Sequence, residues 1–312
     1  MSKYILRIIN HTIITLCSFW VLLFILSSNV QAISPADQRY TIRVSPLIIP
    51  LSLSPQKVIK QEIIVENLSS KPYPLKVNFS DFISTEDGGY VFPERNTSPL
   101  ISWISVKPTE FIIPAKAKQK ILVTIKTPRD IPVGGYYGML FFEPVLPISS
   151  TKSTQIISRV GVLLLGTVGV INEKSQKAQI VTFSLPHLIF DRKTTLLLRV
   201  KNISLHHFTG KPIFSLSPLF GEETKQFLEE KIVFPGKIRR WEIPIEVSKY
   251  PINFVKVKLD LSTGGGNIVT AQTFVVVFPF TTIIVIAIII LIALLALKRR
   301  RQLIKALHIL IR

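Results

Sequence analysis

The sequence carries a single cysteine, Cys17, in 312 residues, and it sits inside an apolar run near the N-terminus. Leu16 before it is unlike the small residue expected ahead of a lipidated cysteine. Disulfide frameworks and cysteine-built metal sites are thereby excluded from the rest of the chain, so an exported domain must be held by its apolar core alone. This favours a bacterial or archaeal surface. Acidic residues are also scarce, 19 against 38 lysines and arginines. No nucleophile elbow, phosphate-binding loop, zinc-protease or dinucleotide motif occurs, which removes the recognisable classes of catalysis. There is no interleaving of basic and aromatic residues of the kind that reads nucleic acid. Charge is missing altogether from residues 274–297, FVVVFPFTTIIVIAIIILIALLAL.

As a helix, those residues would extend about 36 Å, enough for a hydrocarbon layer of about 30 Å. Lys298, Arg299, Arg300 and Arg301 follow at once, and such a cluster marks the cytoplasmic end of a span. The reading is a single-pass membrane protein with everything before residue 274 outside the cytoplasm. Beyond the cluster, Leu303, Ile304, Leu307, Leu310 and Ile311 recur at helical spacing, which predicts a short interfacial helix in the basic tail, 298–312. At the other end, Lys3 and Arg7 precede apolar residues 13–26, and Val30 and Ala32 occupy the positions read by a signal peptidase. Residues 1–32 are read as a cleavable signal peptide, with an uncleaved signal anchor as the alternative. Either leaves the same segment outside.

Without the two basic residues of that leader and the six from Lys298 onward, 30 basic residues still face 19 acidic ones. A basic exterior can attract anionic wall polymers or lipid head groups, or merely aid solubility. The intervening residues alternate like sheet. Ile121, Val123 and Ile125 oppose Lys120, Thr124 and Lys126; Trp241, Ile243 and Ile245 oppose Arg240, Glu242 and Glu246; Val255, Val257 and Leu259 oppose Lys256 and Lys258. These are half-buried strands, and prolines and glycines fall between them as turns. Many short strands so spaced point to β-sandwiches.

A repeat organises them. IIVENLS at 63–69 resembles LRVKNIS at 198–204, each followed by a proline-containing strand, and Pro114-Ala115-Lys116 leads into a strand as Pro235-Gly236-Lys237 does later. The fold class is therefore mainly β: two tandem immunoglobulin-like sandwiches at 39–171 and 178–273, a polar linker at 172–177, one transmembrane helix at 274–297 and the tail.

On these residues the chain resembles a known family. Val65-Glu66-Asn67, Ser102-Trp103, Phe111-Ile112-Ile113-Pro114 and the run Pro132-Val133-Gly134-Gly135-Tyr136-Tyr137-Gly138 look like the immunoglobulin-like first domain of PapD-type pilus chaperones. The whole order, from signal peptide to basic tail, is similar to membrane-anchored surface proteins of the WxL-interacting family. The turn at 233–241 resembles the proline-glycine-arginine turn of that family's second domain. The resemblance implies peptidoglycan binding by the first domain and host or partner binding by the second. A free pilus chaperone has no membrane helix.

Sites are few. His206-His207 is a poor metal pair, because adjacent strand residues face opposite ways; solvated loop histidines are the reading. Asp81, Glu86 and Asp87 beside Gly88-Gly89 lack calcium-loop spacing and read as a hairpin turn. Asn67, Asn78, Asn96 and Asn202 each open an N-x-Ser/Thr triplet, a pattern that chance produces often. Trp103 and Trp241 are read as core. Tyr136 and Tyr137 face opposite sides of their strand, so one of them is the candidate partner contact. No cofactor, metal or catalytic residue is expected. The function expected is non-catalytic: a membrane-anchored surface protein that binds an envelope protein or an anionic wall polymer through an edge strand or the 134–138 region. The alternative is a membrane-tethered, chaperone-like factor for assembly of exported surface subunits.

Overall fold

Alternation decides the strands, and a computed structural model shows where they pair. It describes residues 42–145, 158–171, 175–191, 193–247 and 252–310. The signal peptide assigned to 1–32 lies outside these residues, as do 172–174 of the assigned linker. From Arg43 onward the chain packs as one unit; the other unit, Met1–Ile42, falls outside the description except for Ile42.

Nine of the first eleven strands form two facing sheets. One has the order β1 (Ile42–Ser45), β3 (Val58–Asn67), β9 (Lys118–Lys126), β7 (Ile104–Lys107). The other runs β2 (Ile48–Leu53), β11 (Val160–Val168), β10 (Gly134–Pro144), β4 (Tyr73–Ser80), β8 (Glu110–Ile113). A two-stranded hairpin, β5 (Ile83–Ser84) with β6 (Tyr90–Val91), and a one-turn helix, α1 (Pro99–Trp103), are added to them. In β9 the buried residues are Ile121, Val123 and Ile125, the face that alternation assigned to the core. Both outer strands of this sandwich change sheets along their length, β1 to β2 and β7 to β8, and the Ser45–Pro46 and Lys107–Pro108 peptide bonds at the crossings are cis. Short divided edges of this kind leave little unpaired backbone for chance association.

The later strands repeat the plan. β12 (Ala178–Ser184), β14 (Lys193–Asn202) and β18 (Ile238–Glu246) make one sheet. β13 (Leu188–Ile189), β20 (Ile268–Val277), β19 (Asn253–Ser262), β15 (Phe208–Pro218) and β16 (Thr224–Phe227) make the other, with β17 (Lys231–Val233) also on β15. In both sandwiches the divided first strand places its second half parallel to the last strand, β2 on β11 and β13 on β20. Trp241 is buried with Ile243 and Ile245, and its indole N–H donates to the Glu229 carbonyl at 2.9 Å.

The apolar stretch from residue 274 is divided. Phe274–Val277 pair with β19 as the end of β20, and the helix α2 starts only at Phe280. Pro279 ends the ladder because it has no N–H to donate. From Phe280 to Arg299 the helix is long and apolar enough to cross a membrane, with a mean hydropathy of 3.2. The backbone stays helical through Leu310, so the tail does not begin a separate helix. No glycine or proline between Lys298 and Leu310 offers a break.

Candidate functional site

Strands β10 and β11 depart from alternation. Met139, Leu140, Phe141 and Phe142 are all buried, as are Val162, Leu163, Leu164 and Leu165. One face of these strands lines the core of the first sandwich. The other is covered by Phe82, Tyr90 and Phe92 from the hairpin region and by Phe234 and Ile232 from the second sandwich. Phe234 stands edge-on to Phe82 at 5.2 Å and to Tyr137 at 4.9 Å. A continuous apolar run is what a sheet buried on both faces requires.

Polar groups lock the same junction. The Glu86 carboxylate accepts two hydrogen bonds from the Arg199 guanidinium, at 2.9 and 2.6 Å, which hold its pKa below the usual glutamate value. The Arg240 N–H donates to the Glu86 carbonyl at 2.7 Å, and the Gly135 N–H to the Leu205 carbonyl at 2.8 Å. The buried His206 shares a hydrogen bond between Nε2 and the Val168 carbonyl at 2.8 Å. The Tyr137 hydroxyl accepts from the His207 N–H at 2.9 Å. Burial pushes the Tyr137 phenol well above its ordinary range and drives the His207 imidazole down to about 4.

The two candidate tyrosines therefore have different surroundings. Tyr137 folds inward against Phe234 and His207, while Tyr136 lies on Trp103 with ring centroids 5.0 Å apart and donates its hydroxyl proton to the Pro132 carbonyl at 2.8 Å. Trp103 is half-buried in that pair and not a core residue; the one-turn helix α1 carries it to the surface. Beside the tyrosines is an open cleft of about 320 Å³, with Asp81, Ser98, Leu205, Phe234 and Lys237 among its walls. Lys298 and Arg299 fall on the last turns of the apolar part of α2, and Arg300 and Arg301 continue that helix.

Two other assignments change or gain content. His206 and His207 are not solvated loop residues: the loop that holds them is covered by the first sandwich. Among the described residues, no group of three or more His, Cys, Asp or Glu is placed to hold a metal ion. Asp81 organises a loop, accepting from the Thr97 hydroxyl at 2.6 Å and from the Ser98 N–H at 3.0 Å. The Gly88-Gly89 segment does close a hairpin, with Gly88 at φ +107° and the Thr85 N–H donating to the Gly89 carbonyl.

Strand edges form the remaining surface. β10 pairs with β11 from Val160 onward, whereas β2 covers the opposite edge of β11 only from Leu163. Residues 160–162 therefore have no strand partner on that edge among the described residues. In the second sandwich, the outer edge of β18 is occupied at Arg240 by Glu86 and interrupted by Pro244, which cannot donate to a ladder.

The architecture is two tandem immunoglobulin-like β-sandwiches. No protein-family model matches the sequence, and no curated protein matches it. Among solved structures it is similar to the class 5 fimbriae chaperone CfaA, at 15% identity over 77% of this chain and 100% of that one, with a TM-score of 0.41. A chain from a chaperone–tip adhesin complex of CFA/I fimbriae biogenesis gives 14% identity over 75% and 98%, with a TM-score of 0.42. The CupB2 chaperone of Pseudomonas aeruginosa gives 12% over 74% and 98%, at 0.38.

Proposed function

We propose that this protein is a non-catalytic, membrane-tethered holder of exported polypeptide, with both sandwiches outside the cytoplasm and Lys298, Arg299, Arg300 and Arg301 inside. The uneven cover on β11 carries the reading. Beyond the end of β2, Gly161 turns its N–H and C=O to the open edge, two residues before Leu163, whose N–H bonds the Leu47 carbonyl, and an extended client segment can extend the sheet there by strand addition. Arg159 bounds this edge, stacked over Phe141 at 3.9 Å and paired with Glu143 at 3.2 Å. A client so held would be released by loss of ladder hydrogen bonds, with no covalent step.

The test is a photo-crosslinking side chain at Val160 or Gly161 of the full chain in living cells, with a third at Ile112 on the edge of β8. The reading expects adducts at 160 and 161 that map to neighbouring positions of one extended segment of an exported protein. Adducts at 112 alone, or at none of the three, overturn it.

A second reading rests on a different observation, the half-exposed Trp103–Tyr136 pair beside the cleft. On that reading the protein is an adhesion or scaffold protein, and the pair, with Tyr137 behind it, receives a surface protein or an anionic wall polymer, as the resemblance to the WxL-interacting family implies. Loss of whole-cell or wall binding in Trp103→Ala, with the crosslinks at β11 absent, selects it.

A further inference from the structure

The second sandwich ends at the start of α2 in a cluster of outward apolar side chains. Leu219, Phe220 and Phe254 are 65%, 55% and 56% exposed, and Phe280 at the first turn of α2 is 62% exposed. They come from three separate segments that the strand register brings to one end: Pro218 pairs with Val255, Phe254 with Val276 and Asn253 with Val277. Polar bonds fix the backbone that carries these side chains. The buried Asn253 donates through Nδ2 to the Phe220 carbonyl at 2.8 Å and accepts from the Phe220 N–H at 3.1 Å, and the Leu219 N–H donates to the Phe254 carbonyl at 2.8 Å.

The same end is fixed to the helix. The Phe278 N–H donates to the Ile189 carbonyl at 2.8 Å and the Phe280 N–H to the Phe190 carbonyl at 3.1 Å. The rings of Phe190 and Phe280 stack at 5.1 Å. There is no flexible stalk between sandwich and span, so wherever the first turn of α2 meets a bilayer, the 219–220 and 253–254 segments meet it too.

We propose that this end of the second sandwich is a lipid-docking surface, which seats Leu219, Phe220 and Phe254 in the interfacial layer of the bilayer that α2 crosses. The proposal rests on the membrane reading of α2. Its chemistry is apolar: Glu222 and Glu223 follow directly after Phe220 and are exposed, so anionic head groups are not what it recognises. Aliphatic and aromatic side chains beside a membrane anchor gain by leaving water for the boundary between head groups and acyl chains. Docking would fix how the sandwiches stand over the bilayer, where a lone span would let them tilt.

The full chain carrying Cys17→Ser is made with single cysteines at Leu219, Phe254, Ile288 or Ile112, labelled with an environment-sensitive fluorophore and reconstituted in phosphatidylcholine vesicles containing a spin-labelled lipid quencher. Docking predicts blue-shifted, strongly quenched emission at Leu219→Cys and Phe254→Cys, unchanged by added salt, and water-like unquenched emission at Ile112→Cys. If both labels behave like the one at 112 while Ile288→Cys is quenched, α2 spans and the docking surface is refuted. If Ile288→Cys also escapes quenching, the membrane reading fails and the inference falls with it.

Discussion

Two buried asparagines set the turns of both sandwiches. The Asn67 amide donates to the Lys71, Ile113 and Pro114 carbonyls at 2.7, 3.0 and 3.1 Å, and its oxygen accepts from the Ser69 N–H and hydroxyl. Asn202 does the same for His206, Val233 and Ser204. The N-x-Ser triplets at 67 and 202 are thus folding devices: the serine completes the turn and the amide ties it to a neighbouring strand. Asn67→Ala leaves buried carbonyls without a donor and should cost about 3 kcal/mol. Asn67→Asp should cost at least as much, because the donors are lost and a charge is buried; urea unfolding of the full chain in detergent measures both. The neighbouring turns allow a finer test. Lys116 sits at φ +58° where its counterpart Gly236 sits at +71°. The hydrogen bonds Ala117 N–H to Pro114 and Lys237 N–H to Phe234 align Lys116 with Gly236. The matching of Pro114 with Pro235 drawn from sequence is therefore off by one residue. Lys116→Gly should stabilise by about 1 kcal/mol and Gly236→Ala destabilise by a similar amount. A Cβ at 236 meets nothing within 4 Å, so only the backbone conformation is tested.

Among the elements, β10 shows what patterning can reveal and where it stops. Strands with one wet face, such as β9 and β18, declare their inward residues by alternation, and the inward placing of Trp241 follows from it. In β10 the run of Met139 to Phe142 signals burial on both faces, but no local pattern names Phe234, nearly 100 residues later, as part of the cover. The same reason hides the burial of His206, and it hides the exposure of Trp103, whose apolar neighbours suggested a core position while its ring lies on Tyr136. Gly135 is the sharpest element-level test. The Tyr137 ring folds back over it, so a Cβ there would lie 1.8 Å from the Tyr137 hydroxyl. Gly135→Ala must push Tyr137 off His207 and Phe234 and should lower stability by about 1–3 kcal/mol. Tyr137→Phe, which removes the hydroxyl's bonds with the His207 N–H and ring Nδ1, should lose about 1 kcal/mol. Thermal unfolding in detergent would show whether this order holds.

At the scale of the molecule, both sandwiches share one apolar and polar junction, so its titration should be felt by both of them. His207 is the group to watch. Burial lowers its folded-state pKa to about 4 from 6.5, with His206 adding to the effect. A depressed histidine means that the unfolded chain takes up a proton before the folded one does. Stability is therefore at its plateau above about pH 6.5 and falls as pH drops towards 4, with a slope of at most about 1.4 kcal/mol per unit. The full loss is on the order of 3 kcal/mol. Glu86, whose pKa is depressed from 4.5 by Arg199, is fully ionised through most of that window and weakens the junction only at lower pH. The two groups can be separated by range. Urea midpoints of the full chain in detergent should decline between pH 6.5 and 4 in the wild type and stay nearly level in His207→Gln, while Glu86→Gln should alter the profile only below about pH 4.5. An unchanged decline in His207→Gln would mean that another group couples the junction to pH.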